Sequence, residues 1–282
     1  MGDLRSSESR QHRLALLPIF ERRGAEQRGP VVTLFGDRQP RSVATLCKTQ
    51  RIDAPTERQS GAWRTGMIDR TELTNRLATG ERLFTDCEFA GSDLARLDLS
   101  ECRFENCNFR KVDLTGADLG DAQFRRCQAA GAKLRGADLA DAVFETSDFT
   151  TADFTGARIG SARFDGCRLS GANFTEATGI DYAFADCLLV SANLRRMNFR
   201  KSRLQGLDMS EADLTEADFR DAILERCSLR EASLKHAQFK GADLRGCDLG
   251  AIALANAPLF KGAIISKAQA SELLQGFGIR VA

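Results

Sequence analysis

From Phe84 onward every fifth residue is large and apolar: Phe84, Phe89, Leu94, Leu99, Phe104, Phe109, Leu114, Leu119, Phe124, continuing in phase to Leu254, Leu259 and Ile264. Only Ala129 and Gly179 interrupt this column. A second column, two residues earlier, holds small residues from Cys87 and Ser92 to Ala257, with Leu97, Val112, Tyr182, Met197, Leu207 and Ile252 as larger exceptions. A period of five matches neither the 3.6 of a helix nor the 2.0 of a strand. Each fifth side chain must instead be turned inward by repeated corners, so the chain coils around a central column. Phe recurs every 20 residues at Phe84, Phe104, Phe124, Phe144, Phe164 and Phe184, and again at Phe199, Phe219 and Phe239 on another side. Four pentads therefore complete one coil. Aromatic rings one coil apart would stack at about 4.8 Å, the spacing of neighbouring strands. The pattern predicts a four-sided, all-β parallel solenoid.

The triplets Ala117-Asp118-Leu119, Ala137-Asp138-Leu139, Ala172-Asn173-Phe174, Ala192-Asn193-Leu194 and Ala242-Asp243-Leu244 resemble the A-(D/N)-L-x-x pattern of the pentapeptide-repeat family. The resemblance covers Phe84 to Ile264. It implies a right-handed quadrilateral parallel β-helix of about nine coils, roughly 43 Å long at about 4.8 Å per coil.

A solenoid exposes unpaired edges at both ends and needs caps. At the front, Asp69 is placed to cap a helix over Arg70 to Leu77, stopped by Gly80, with Leu73 and Leu77 toward the first coil. At the back, Ser266 precedes a helix-compatible run from Lys267 to Gln275, ended by Gly276 and Gly278. The expected organisation is a basic arm at 1–66, a helical cap at 67–83, the solenoid at 84–265 and a capping tail at 266–282. The arm holds 12 basic against 7 acidic residues, four prolines and no pentads. It reads as a poorly ordered segment, or as an extension upstream of a start at Met67.

The tail, Gln269 to Leu274 followed by Phe277-Gly278-Ile279, resembles that of the Qnr-type, gyrase-protecting members of the family. That resemblance implies a homodimer joined end to end, with Leu273, Leu274, Phe277 and Ile279 at the contact; the alternative is a monomeric cap.

Composition narrows the chemistry. The 282 residues carry a net charge of +1 and 43% hydrophobic side chains, which excludes global disorder. No apolar run reaches the 18 or more residues of a membrane span, and Leu14 to Phe20 is too short for a signal peptide. A cytoplasmic protein is expected. Eight of the nine cysteines, Cys87, Cys102, Cys107, Cys127, Cys167, Cys187, Cys227 and Cys247, fall in the inward small-residue column, and only Cys47 lies outside it. They are expected to be reduced packing residues. His12 and His236 have no ligand neighbourhood, and no phosphate loop or nucleophile motif is present. Neither enzyme, metal nor cofactor is expected.

Folding at 20 residues per coil aligns Asp98, Asp118 and Asp138 in one outward column and Glu101, Asp121 and Asp141 in another around the same corner. Two carboxylates per coil give about one charge per 2.4 Å, against about one per 1.7 Å for duplex DNA. Half of this ridge has a structural explanation, because a short polar side chain at Asp98, Asp118 and Asp138 can satisfy turn backbone. Averaged over residues 67–282, the 28 basic and 32 acidic groups make a weak mimic of DNA. Farther along, Arg195, Arg196, Arg200, Lys201 and Arg203 form a basic patch, with Arg220 and Lys240 stacked beyond Arg200 and with Asp218 and Asp221 beside them. A solvated charged face is expected there in preference to a nucleic-acid site. The function expected is non-enzymatic binding, with DNA gyrase or another topoisomerase as the most specific partner. A protein-interaction adaptor is the alternative. The pair Gly179 and Tyr182, one emptying the column and the other enlarging its neighbour, predicts either a compensating exchange of volume or a bend.

Overall fold

The computed structural model describes residues 66–250, 254–276 and 278–280. The arm at 1–65 and Phe277 lie outside them. Nine strands stack in sequence order into one parallel sheet: β1 Leu83–Thr85, β2 Arg103–Glu105, β3 Gln123–Arg125, β4 Val143–Glu145, β5 Arg163–Asp165, β6 Ala183–Ala185, β7 Arg203–Gln205, β8 Ile223–Ser228 and β9 Asp243–Asp248. Phe84 pairs with Phe104, Phe104 with Phe124, and so on to Phe184. The other three sides are held by single-residue parallel bridges at the same 20-residue offset, such as Asp93 with Asp113 and Asp98 with Asp118. We call the sides first to fourth, after Phe84, Phe89, Leu94 and Leu99.

The inward column is dry. Leu134, Phe154 and Leu214 are 0% exposed, as is Ala129. Phe rings of the first side stack at 4.6–5.4 Å between centroids. Each fully buried ring contributes about 1.5–3 kcal/mol.

Corners repeat one backbone device. Every residue two positions after a main-column residue, from Asp86 to Gly241, has positive φ, between +46° at Asp186 and +77° at Gly241. Glycine meets this at no steric cost and Asp or Asn at little, which is why those residues crowd the position. At the corner after the fourth side, the next amide bonds back to the main-column carbonyl, as from Cys102 to Leu99 (3.2 Å) and from Ala122 to Leu119 (3.0 Å).

The corner between the first and second sides is closed differently. Seven of the eight inward cysteines stack there, one coil apart, with Ser147 and Leu207 in the remaining places. The Cys87 amide donates to Cys107 Sγ (3.4 Å), and the Cys107 thiol reaches the Phe84 carbonyl (3.3 Å). Ser147 repeats this with the Cys127 amide (2.9 Å) and the Phe124 carbonyl (3.2 Å). All eight inward cysteines are buried. Stacked side chains of this column therefore take over backbone hydrogen bonding, a role beyond filling space.

The main column yields at Gly179. Its φ is +142°, and its backbone lies so close to the coil below that an added Cβ would meet Gly160 N at 2.5 Å and Gly160 Cα at 2.8 Å. The space toward the next coil is occupied by Tyr182, whose ring packs edge-on against Phe184 and Phe199, both at 6.1 Å. The fourth-side bridge between Thr178 and Asn198 is not made, and on the first side β6 keeps a single pair with β7, Ala185 with Gln205, whereas Asn173 with Asn193 on the third side and Leu188 with Asp208 on the second remain paired. Volume is exchanged, and the ladder opens locally around the corner from the fourth side to the first.

Both ends are closed. Helix α1, Arg70–Ala78, starts at Asp69, whose carboxylate accepts the Glu72 amide (2.9 Å), and buries Leu73. Ile68, 0% exposed, forms a first rung by donating to the Glu88 carbonyl (2.8 Å). At the other end the five-residue phase does not persist. A 310 helix, Leu254–Phe260, takes up one extra residue, so that Phe260 stacks on Phe239 (4.8 Å) and Ile264, 50% exposed, faces outward. Ile265 packs against the core in its place. Nine strands thus delimit eight turns, about 38 Å, and the ninth coil is irregular. Helix α2, Lys267–Gly276, follows. Ser266 and Gln269 bond reciprocally, with the Ser266 amide donating to Oε1 (2.7 Å) and the Gln269 amide to Ser266 Oγ (3.2 Å). This is a capping box. Gln269 Nε2 also donates to the carbonyls of Leu244 (2.7 Å) and Cys247 (2.8 Å), closing the last coil.

Candidate protein-binding surface

The acidic columns flank the corner after the fourth side. Asp98, Asp118 and Asp138 stack as successive bridge partners. Each turns one oxygen back to the amide two residues on: Ser100 (3.0 Å), Gly120 (3.1 Å) and Ala140 (3.2 Å). The second oxygen is turned away from that bond, although at Asp138 it is engaged by Arg158. The Ser100 hydroxyl and amide hold the Asp98 carboxyl below the usual carboxylate range. Glu101, Asp121 and Asp141 are exposed, each at φ +57°. Aspartate tolerates that conformation, so the second column also has a backbone reason for its residue type. Between the two columns run Ser100, Gly120 and Ala140, leaving a notch edged by carboxylates.

The basic residues are matched by carboxylates about one coil on. Arg195 pairs with Asp213 (3.4 Å), Arg196 with Glu216 (2.8 Å), Arg200 with Asp221 (3.9 Å) and Arg203 with Glu225 (2.8 Å). Lys201 is exposed. Arg220 chelates Asp218, and that contact is the main reason the Asp218 carboxyl titrates low. Such surface pairs contribute about 0–1 kcal/mol each, but they cancel most of the positive field. The signal was available in sequence as offsets of 18 to 22 residues.

At the C-terminal end, Leu274 is 38% and Ile279 50% exposed, while Leu273 is half-buried. His236 is exposed at a corner, φ +61°. Among the described residues no group of three or more His, Cys, Asp or Glu could hold a metal ion, and no helix is long and apolar enough to cross a membrane.

The architecture is that of a parallel repeat solenoid presenting ordered columns of side chains. Family models agree: one described as a pentapeptide repeat region matches residues 82–154, and one described as pentapeptide repeats (8 copies) matches 152–178, 183–215 and 212–250. The chain belongs to the pentapeptide-repeat family. It is similar in structure to a trypsin-treated variant of QnrB1, a plasmid-mediated fluoroquinolone resistance protein, with 25% identity over 71% of this chain and 99% of that one and a TM-score of 0.64. Full-length QnrB1 aligns with 25% identity over 70% of this chain and 99% of that one, with a TM-score of 0.63. No curated protein matches the chain in sequence. The solenoid is a protein-binding type of repeat module.

Proposed function

We propose that this module binds a type II topoisomerase, DNA gyrase in particular, and presents its carboxylate-edged corner where the enzyme would otherwise hold DNA. The observation that carries the reading is the pair of stacked carboxylate columns, Asp98, Asp118, Asp138 and Glu101, Asp121, Asp141, running over three successive coils. At two carboxylates per coil, about one per 2.4 Å, and with Asp138 at the end of its column engaged by Arg158, the ridge approaches the linear charge density of a duplex, about one per 1.7 Å, over its first two coils. The likeness to a fluoroquinolone resistance protein supports the same target. Leu274 and Ile279, exposed at the C-terminal end, are proposed to join two copies end to end.

The test is quinolone-stabilised DNA cleavage by gyrase. Added protein should lower the yield of linear DNA, and Asp121→Lys with Asp141→Lys should abolish that effect. The double variant should melt close to the parent, since exposed reversals typically change stability by about 0.5 kcal/mol or less. An absence of protection at stoichiometric excess over gyrase refutes the proposal.

A further inference from the structure

The inward column at the corner between the first and second sides brings thiols together one coil apart: Cys87 with Cys107, Cys107 with Cys127, Cys167 with Cys187 and Cys227 with Cys247, with Ser147 and Leu207 separating the groups. Strands about 4.8 Å apart place stacked Cα atoms within the roughly 4.4–6.8 Å that a disulfide spans, although the Cβ atoms must then approach to about 3.5–4.5 Å. Spacing therefore admits every pair. Access and backbone freedom distinguish them.

Cys87, Cys107, Cys127, Cys167 and Cys187 are at most 1% exposed, and the strands that carry them pair in unbroken register. The last pair differs. Cys247 is 7% and Cys227 2% exposed, and the ladder between β8 and β9 shifts register on both sides of the pairing of Glu225 with Gly246. Gly246 stands at the corner where the residues from Asp86 to Arg226 are left-handed one coil after another, yet it is not left-handed itself. Its backbone settles onto the coil below, with a Cβ built there 3.4 Å from Arg226 N and 3.6 Å from Glu225 Cα. Exposed at the corner, it covers the neighbouring thiols with no side chain. The ninth coil is thus the one that can close the remaining few tenths of an ångström between two stacked Cβ atoms.

We propose that Cys227 and Cys247 form a reversible disulfide when the protein meets a hydroperoxide, and that this bond fixes the ninth coil beneath the C-terminal cap. The two thiols already hydrogen-bond to each other. The Cys247 thiol, helped by the Leu207 amide and opposed by burial, holds Cys227 below the ordinary thiol range, while the contact with Cys227 and burial keep the proton on Cys247. The thiolate is the reacting form. Its sulfur attacks one oxygen of hydrogen peroxide, the O–O bond breaks, and the departing oxygen leaves as water, so that Cys227 becomes a sulfenic acid. The Cys247 sulfur then attacks the Cys227 sulfur, the S–O bond breaks, and a second water leaves with the Cys247 proton. Two thiols lose two electrons, which reduce one peroxide to two waters. Because the Cys247 carbonyl accepts from Gln269 Nε2 at 2.8 Å, the bond ties the seat of α2 to the regular coils. The inference is independent of the topoisomerase reading.

Peptide mapping tests it. Full-length protein is reduced, exposed to a few equivalents of hydrogen peroxide, then denatured in iodoacetamide and digested with trypsin. The expected product joins the peptide Cys227–Arg230 to Gly246–Lys261, disappears on treatment with dithiothreitol, and forms while Cys87, Cys107, Cys127, Cys167 and Cys187 are still alkylated. Circular dichroism before denaturation verifies that the fold persists. Cys247→Ser, which copies the tolerated Ser147, should leave a sulfenic acid on Cys227 that dimedone captures. Chymotryptic cleavage after Leu273 and Leu274 should slow in the oxidised parent and recover on reduction. Failure to form the Cys227–Cys247 link in folded protein, or a link between Cys167 and Cys187 that forms as early, overturns the proposal, and cleavage of α2 indifferent to the link overturns its effect on the cap.

Discussion

The phenol oxygen of Tyr182 lies between the two backbone polar groups of Asn198, accepting from its amide at 2.7 Å and donating to its carbonyl at 2.9 Å. It occupies the place of the missing inter-coil rung above Gly179. Burial is the larger influence on this hydroxyl and raises its pKa to about 12 from an ordinary value near 10, with the Asn198 bond opposing. The folded state therefore keeps a proton that the unfolded chain releases. Stability from this group is complete below pH 10 and is lost as pH rises from 10 toward 12, amounting to as much as about 2 kcal/mol. Tyr182 is the sole tyrosine of the chain, so the absorbance of tyrosinate reports it directly. A midpoint near 10 in folded protein would contradict the geometry. Tyr182→Phe should remove this alkaline sensitivity while costing about 1–3 kcal/mol at neutral pH, because both Asn198 groups lose their partner.

Gly179 should be the least replaceable glycine of the shaft. Gly179→Ala pushes a Cβ into the backbone of Gly160, where no side chain can swing aside, and we expect a loss of about 2–4 kcal/mol. Gly136→Ala is the control. Its φ is +60° with nothing within 4 Å of a built Cβ, so only the left-handed penalty of about 1–2 kcal/mol applies. Urea denaturation of the pair measures the difference, and equal losses would show that the close approach at Gly160 is relieved without strain.

The solenoid was legible because a five-residue period and a four-sided coil are commensurate: one residue, Phe84, fixes the fate of every main-column position up to Leu249 except Gly179, which is exposed. Legibility ends where two readings share the same residue types. Leu259 and Phe260, or Ile264 and Ile265, are adjacent and both apolar, so periodicity alone does not choose between them, and the stack of Phe260 on Phe239 together with the bridge of Asp243 with Ile264 reveals the inserted residue. The exchange at Gly179 and Tyr182 was visible as volume, but the partner of the Tyr182 hydroxyl was not, since Asn198 contributes backbone and not side chain. The ridge columns were legible from the coil length, whereas their notch depends on Ser100, Gly120 and Ala140, residues that carry no chemistry of their own. Gln269 is an intermediate case. Ser266 and Gln269 spell a capping box in sequence, yet the two carbonyls that Gln269 also closes are 22 and 25 residues away.

Gln269 joins the end of the solenoid to α2 through all of its polar valences. Gln269→Ala should remove the reciprocal cap, worth about 1 kcal/mol, and leave the Leu244 and Cys247 carbonyls without a donor. The combined loss should be about 2–4 kcal/mol. Gln269→Glu should cost at least as much, because a carboxylate retains the acceptor for the Ser266 amide but turns an acceptor toward two carbonyls. Thermal melts of both variants decide this, and a Gln269→Ala protein as stable as the parent would mean that water replaces the cap.

The cysteine column separates packing from hydrogen bonding at a single corner. Cys127 Sγ reaches the Phe104 carbonyl at 3.3 Å, while the Cys127 amide is taken by Ser147 Oγ at 2.9 Å. Cys102 occupies the equivalent inward place one corner away, where its amide already bonds to Leu99. Cys127→Ala should therefore remove the thiol from the Phe104 carbonyl, which the β2–β3 ladder still engages, and cost about 0.5–1.5 kcal/mol, whereas Cys127→Ser, which copies Ser147, should stay closer to the parent. Cys102→Ala should resemble the alanines that stand at Ala122, Ala142 and Ala162 on the same corner and cost about 1 kcal/mol or less. The order of the three melting temperatures is the readout. If Cys127→Ser and Cys127→Ala fall equally, the column is held by shape alone, and the thiol contact with Phe104 contributes nothing to closing that corner.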